Sequence, residues 1–178
     1  ILAQAQYLSG ENAAETLKSL DKAIELNPDS PEGYGYRGSI LLEQGDNQAA
    51  INDLLKAVHL DGSSFRYNLD LGRALIATER YTDAYRQLNV AERLAEEDVE
   101  KAAVYYWRAR TLEATMNLTQ AKAEWKKLLA LPASALPADW QKYAQAHLLV
   151  LETPTLTVTS TPSVTKKITL TPTLTKTP

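Results

Sequence analysis

The chain has 178 residues, 44% hydrophobic and 23% charged, with 19 Lys+Arg against 22 Asp+Glu. A net charge of −3 argues against a dedicated nucleic-acid binder. No run of eighteen apolar residues occurs, which excludes a transmembrane helix within this sequence, and the lack of cysteine excludes disulfides, zinc–thiolate sites and cysteine nucleophiles.

The charge is unevenly placed. Residues 153–178 hold 11 Thr, 2 Ser, 4 Pro, 3 Lys and no acid, so residues 1–152 carry 16 Lys+Arg against 22 Asp+Glu, a net of −6. An acidic body of roughly 150 residues, large enough to bury about two-thirds of its unfolded surface, precedes a weakly basic Thr/Pro tail. The chain opens at Ile1 inside a stretch with apolar residues at helical spacing (Ile1, Leu2, Ala5, Leu8), without a signal-peptide pattern. That start predicts a fragment or a processed form.

A repeat then organises the body. Gly38, Leu41, Ala50, Leu54 and Ala57 recur 34 residues later as Gly72, Leu75, Ala84, Leu88 and Ala91, and a further 37 residues later as Ala109, Leu112, Ala121, Trp125 and Leu128. Thr16, Leu20 and Ala23 stand 34 before Ala50, Leu54 and Ala57, and Ala5 and Leu8 stand 33 before Gly38 and Leu41. The change from 34 to 37 places an insertion near Asp98 to Lys101. Each unit reads as two helices around a turn, such as Gln44-Gly45-Asp46-Asn47, with breakers Pro28, Pro31, Gly62 and Pro132 between units. Gly38, Gly72 and Ala109, facing Ala50, Ala84 and Ala121, predict close helix crossings.

The strings Tyr34-x2-Arg37-Gly38-x2-Leu41 with Ala50-x3-Leu54-x2-Ala57, Asn68-x2-Leu71-Gly72-x2-Leu75 with Ala84-x3-Leu88-x2-Ala91, and Tyr105-x2-Arg108-Ala109-x2-Leu112 with Ala121-x3-Trp125 resemble the tetratricopeptide repeat (TPR). So does Ala23-Ile24-Glu25-Leu26-Asn27-Pro28 at the end of the first unit. Arg37 and Arg108 replace a leucine of the family pattern, Thr16 an alanine and Gly62 a proline, departures that weaken single units. The resemblance covers about residues 1–132. It implies an all-α, right-handed superhelix of antiparallel helix pairs, with units at about 1–30, 31–64, 65–98 and 102–132.

Trp140, Tyr143, His147, Leu148 and Leu151 form an apolar stripe, so 138–151 is expected to be a helix capping the last unit, or the first helix of a further one. The cap favours a monomer. From 152 to 178 the Thr/Pro composition reads as a disordered linker or tail, of the kind that joins domains in secreted and surface proteins, which favours an extracytoplasmic location.

Chemistry is scarce. His59 reads as a surface residue and His147 as a packed one; neither belongs to a catalytic or metal constellation. Glu96, Glu97, Asp98 and Glu100 read as a solvated loop favouring the next helix N-terminus. No phosphate-binding glycine loop exists. Asn117-Leu118-Thr119 matches the N-glycosylation pattern in an exposed turn. No enzyme, cofactor or metal is expected. What remains is a surface for a protein or peptide.

By resemblance, the first helices line a concave groove that takes peptides. The positions mapping there include Glu32, Ser39 and Leu42, then Arg66, Leu69, Arg73 and Ile76, then Tyr106, Arg110 and Glu113. Arg66 and Arg73 share a helix face, and Arg110 repeats the place of Arg73. Arginine forks suit carboxylates, so the expected partner is a protein or peptide, with an acidic or C-terminal carboxylate held by these arginines as the sharper expectation, and with apolar contact from Leu69, Ile76 and Tyr106. The competing expectation pairs the arginines with Glu32, Glu113 and neighbours on a solvated face. Tyr105 is expected to pack and Trp107 is left open. The alternatives are a structural or tethering module of a larger surface protein, and an accessory domain of an enzyme whose catalytic part lies elsewhere.

Overall fold

The computed structural model describes residues 13–153; among them are eight α-helices, one short 3-10 turn and no strand. In chain order they are α1 (Ala13–Leu26), α2 (Pro31–Gln44), α3 (Asn47–Leu60), α4 (Phe65–Ala77), α5 (Tyr81–Leu94), α6 (Asp98–Ala114), α7 (Leu118–Leu129), the 3-10 turn Ala133–Ala135, and α8 (Ala138–Glu152). The expected first helix of the first unit, and the tail beyond residue 153, lie outside the described residues.

The repeat in the sequence is a repeat of helix ends. α2, α4 and α6 each close on a left-handed residue: Gly45 (φ 82°), Glu79 (φ 59°) and Met116 (φ 59°). These stand 34 and then 37 apart, as the repeat requires. In each turn two backbone amides reach back into the helix, as Asp46 N–H to Leu41 O (2.9 Å), Arg80 N–H to Leu75 O (2.8 Å) and Asn117 N–H to Leu112 O (2.8 Å). This is the Schellman ending, for which glycine is the unstrained choice. Helix starts are capped less uniformly. Asp46 accepts from Ala49 N–H (3.3 Å), and Ser64 from Tyr67 N–H (3.4 Å). At α6 the carboxylate of Glu100 accepts from the amides of Glu96 (2.8 Å) and Glu97 (3.2 Å), so the acidic run starts the helix. The insertion near Asp98 lengthens α6 to 17 residues, against 14 in α2 and 13 in α4.

Consecutive helices pack antiparallel as the pairs α2/α3, α4/α5 and α6/α7. Each pair is joined to the next through its second helix, α1 against α2, α3 against α4, α5 against α6 and α7 against α8. The first helices α2, α4 and α6 also touch one another. That places first helices on an inner side and second helices on an outer one. At the crossing within each pair, a methyl on Gly38 would lie 2.7 Å from Leu54 Cγ, and one on Gly72 2.9 Å from Leu88 Cδ2. The third pair puts Ala109 at this position, with Trp125 where leucine stands in the other two. Gly35 lies under the ring of Tyr67, whose Cε1 would be 2.2 Å from a Cβ. Burial pushes the Tyr67 phenol up to about 12.

The two departures at Arg37 and Arg108 are built-in contacts rather than weaknesses. Arg37 on α2 donates to both carboxylate oxygens of Asp53 on α3 (2.6 and 2.7 Å) and to Asp21 on α1 (2.7 Å). The hydrogen bonds that Arg37 donates to Asp53 raise its pKa against the effect of burial. Arg108 on α6 donates to Glu92 on α5 and to Glu124 on α7 (3.1 Å), and to the Tyr85 hydroxyl (3.3 Å). In both clamps the acids stand 16 residues before and 16 after the arginine. The buried arginine therefore comes with its own counter-charges, the condition under which such a group is tolerated in a helix interface.

Two cores result. Between α3, α4 and α5 the cluster is aliphatic: Ala50, Ile51, Leu54, Leu71, Ala74, Leu75 and Ala84. At the C-terminal end it gathers Ala102, Tyr106, Ala109, Trp125, Leu128, Leu136 and Ala144, with Trp140 and Tyr143 of α8 packed against it. α8 thus covers the last pair. Glu152 at its end bridges to Lys122 (3.3 Å) and Lys126 (3.1 Å) of α7.

Candidate binding groove

The inner side is a line of contacts between successive first helices. Ser39 on α2 donates to Asp70 Oδ2 on α4 (2.6 Å). At the position equivalent to Ser39, the Arg73 guanidinium of α4 lies 5.4 Å from the Trp107 ring centroid on α6. At the next equivalent position, the Arg110 guanidinium of α6 lies 5.8 Å from the ring centroid of Tyr143 on α8. One helix position thus reaches forward to the next unit every time, and cations against ring faces take over from a hydroxyl–carboxylate bond toward the C-terminal end. Tyr36 on α2 extends the pattern backwards, with the Arg66 guanidinium 5.4 Å from its ring centroid.

This geometry sorts the expected groove residues. Asp70, with 4% exposure, accepts from Arg73 Nη1 (2.7 Å) and stands 3.7 Å from Arg66 Nε. Arg66 and Arg73 therefore share a buried counter-charge, which is neither a bound ligand nor Glu32 or Glu113. Arg110 differs: its guanidinium packs over Trp107 (5.2 Å), Tyr106 (5.8 Å) and Tyr143, and among the described residues no carboxylate lies within ion-pair distance of it. Arg110 also hydrogen-bonds the Tyr143 side chain, and a guanidinium has five N–H donors, so further donors remain for a planar acceptor.

Three expectations are corrected. Ser39 is buried, at 3% exposure, because it faces α4 rather than the opening. Tyr106 is buried at 8% and stacks on Trp140 (4.4 Å, interplanar 10°), so it belongs to the aromatic core. Glu113 accepts from Trp125 Nε1 (2.8 Å) and pairs with His147 Nδ1 (2.9 Å), which makes it a fastening for α8. Leu42 and Ile76 are partly exposed and rest on the aliphatic core, and Leu69 is also partly exposed. Glu32 is exposed at the N-terminal end, its carboxyl held below the usual range by the Ser30 hydroxyl. Tyr105 is half-buried against the aromatic core, beneath Lys127.

Asp70 and Tyr143 are the inner-side residues that sequence reasoning missed, and Trp107, left open there, lies on the inner side under Arg73 and Arg110. Asp70 was detectable, since it stands four after Arg66 and three before Arg73, the spacings at which helical charges meet. His59 is exposed, and His147 stacks on Tyr143 (4.0 Å). Asn117 of the glycosylation pattern is exposed and donates to Thr115 Oγ1 (3.1 Å). Among the described residues no cluster of His, Cys, Asp or Glu could hold a metal ion, and no helix is long and apolar enough to cross a membrane.

Comparison with known proteins agrees with this architecture. Tetratricopeptide repeat family models match residues 19–52 and 37–88. Small glutamine-rich tetratricopeptide repeat-containing protein 2 of Mycosarcoma maydis is 31% identical over 77 residues, 43% of this chain; the match spans only 22% of that relative's length. The Pseudomonas aeruginosa pilF structure superposes with a TM-score of 0.69 at 22% identity, over 84% of this chain and 64% of that one. YrrB, described as a TPR protein with an unusual peptide-binding site, superposes with a TM-score of 0.63 at 18% identity, over 76% of this chain and 65% of that one. At these identities the structures support the fold alone. Tetratricopeptide-repeat models thus match residues 19–88, and the helix pair that follows continues the same crossing and left-handed turn in the same fold.

Proposed function

We propose that the inner side of this array binds a peptide or protein segment, with Arg110 receiving an acidic group of that partner. Tetratricopeptide-repeat arrays generally mediate protein–protein interaction and are typically non-catalytic, which supports a scaffold over an enzyme. The observation that carries the finer reading is the state of Arg110. It is half-buried, held against Trp107 and Tyr143 and, among the described residues, unmatched by a carboxylate, while Arg66 and Arg73 are matched by Asp70. The partly exposed Leu69 and Ile76 offer apolar contact on α4, the neighbouring first helix.

Selection of a displayed random peptide library on the immobilised protein tests this. Enriched sequences should carry Asp, Glu or a free C-terminal carboxylate beside an apolar residue. They should lose binding to Arg110→Gln at unchanged helicity. Peptides that bind Arg110→Gln as well as the unaltered protein would overturn the role of Arg110. Failure to select any peptide would favour the second reading, a tethering module, which the Thr/Pro composition of residues 152–178 supports.

A further inference from the structure

The outer side carries a cleft that recurs between successive second helices, floored by the first helix between them. Between α1 and α3 it encloses about 340 Å³, and Asp21, Arg37 and Asp53 form its charged floor. One unit later, between α3 and α5, the cleft encloses about 310 Å³, and Leu55, Leu71, Leu75 and Val90 line it. Leu55, Leu71 and Gln87 stand 34 residues after Asp21, Arg37 and Asp53, and 37 before Glu92, Arg108 and Glu124. The three positions that build a charged clamp in the units on either side are therefore apolar or neutral in the middle one. Leu55 is 47% exposed at a position where both neighbouring units place a carboxylate.

The rim of this cleft is positive. Arg80 and Arg86 share one carboxylate, Asp83, at 2.9 and 3.5 Å, and the Arg86 side chain is 76% exposed. Arg93, seven residues beyond Arg86 and so on the same helix face, is also exposed. In a body of net charge −6 this strip of α5 is a local surplus of positive charge beside an uncovered leucine.

We propose that the α3/α5 cleft is a second interaction surface, on the side opposite the inner groove, for a partner segment that presents a large apolar side chain flanked by carboxylates. The apolar side chain enters over Leu55 and Leu71, and the carboxylates meet Arg86 and Arg80 at the rim. The two surfaces lie on opposite sides of the array, so a segment on one leaves the other uncovered.

The probe is a short fluorescein-labelled peptide with a Leu-Phe pair flanked by glutamates, compared with the same peptide carrying lysine in place of glutamate, both read by fluorescence anisotropy. Leu55→Asp/Leu71→Arg/Gln87→Asp copies the Asp21, Arg37 and Asp53 arrangement into the cleft and keeps the helix pair compatible with charge. Binding is read in an Arg110→Gln background, which removes the inner-groove contact; there both this variant and Arg86→Glu should weaken the glutamate peptide by about tenfold or more. Should the triple variant fail to fold, Leu55→Asp alone, at a half-exposed position, carries the same test. Equal binding to every variant, complete loss of binding on Arg110→Gln alone, equal binding of the lysine peptide, or no binding at millimolar peptide would each overturn the proposal.

Discussion

The middle pair α4/α5 and the C-terminal pair α6/α7 fill the same repeat with different chemistry. The middle pair closes on Gly72 against Leu88 and buries Leu71 and Leu75 in an aliphatic cluster. The C-terminal pair puts Ala109 and Trp125 at the same two positions, buries Arg108 between Glu92 and Glu124, and is roofed by the rings of α8. The repeat therefore fixes helix spacing and turn geometry but leaves the kind of side chain open, provided that a buried charge arrives with its partners. Large rings gather beside α8, whereas ion-pair clamps stand on both sides of the middle pair.

The contrast can be broken most severely at Trp125. Trp125→Ala should cost about 3–5 kcal/mol in denaturant unfolding, since it empties a fully buried site beneath Tyr106 and Tyr143. Arg108→Leu alone should cost about 1–3 kcal/mol, because it leaves Lys127 as the one remaining cation on buried Glu124. Combining it with Glu92→Leu and Glu124→Gln, the residue types of the middle unit, should recover most of that loss. A triple variant as unstable as the single one would mean that the clamp is more than a matched charge set. Gly72→Leu should destabilise the middle pair by about 1–3 kcal/mol or more through overpacking against Leu88. The smallest change expected is a gain. Glu79→Gly and Met116→Gly relieve a left-handed backbone, and each should raise stability by up to about 1 kcal/mol, seen as a higher melting temperature.

How far the sequence revealed the fold follows from this comparison. Spacing was legible because the glycine and alanine crossings, the leucines facing them and the helix-ending turns recur at fixed intervals. The insertion at Asp98 was visible as a phase change, although its effect, a longer α6, was not. The inner side was harder to read. A first helix in such an array touches its own partner, the preceding unit and the next unit, so only a narrow strip of it stays open. Ser39 and Tyr106 lie just off that strip and face α4 and α8 instead. Tyr105, Tyr106 and Trp107 are consecutive, each turned about 100° from the last, so a small error in phase exchanges core for groove. The counter-charges of Arg37 and Arg108 sit 16 residues away on other helices, beyond the reach of any pairing rule within one helix.

Those paired clamps also divide the array by the kind of contact that joins its units. Arg37 ties α1, α2 and α3 together, and Arg108 ties α5, α6 and α7. The junction of α3, α4 and α5 holds Leu55, Leu71 and Gln87 at the corresponding places, and the aliphatic cluster fills it. Identical spacing is thus held in two ways, by directional charge pairs at the flanking junctions and by non-directional apolar burial at the middle one.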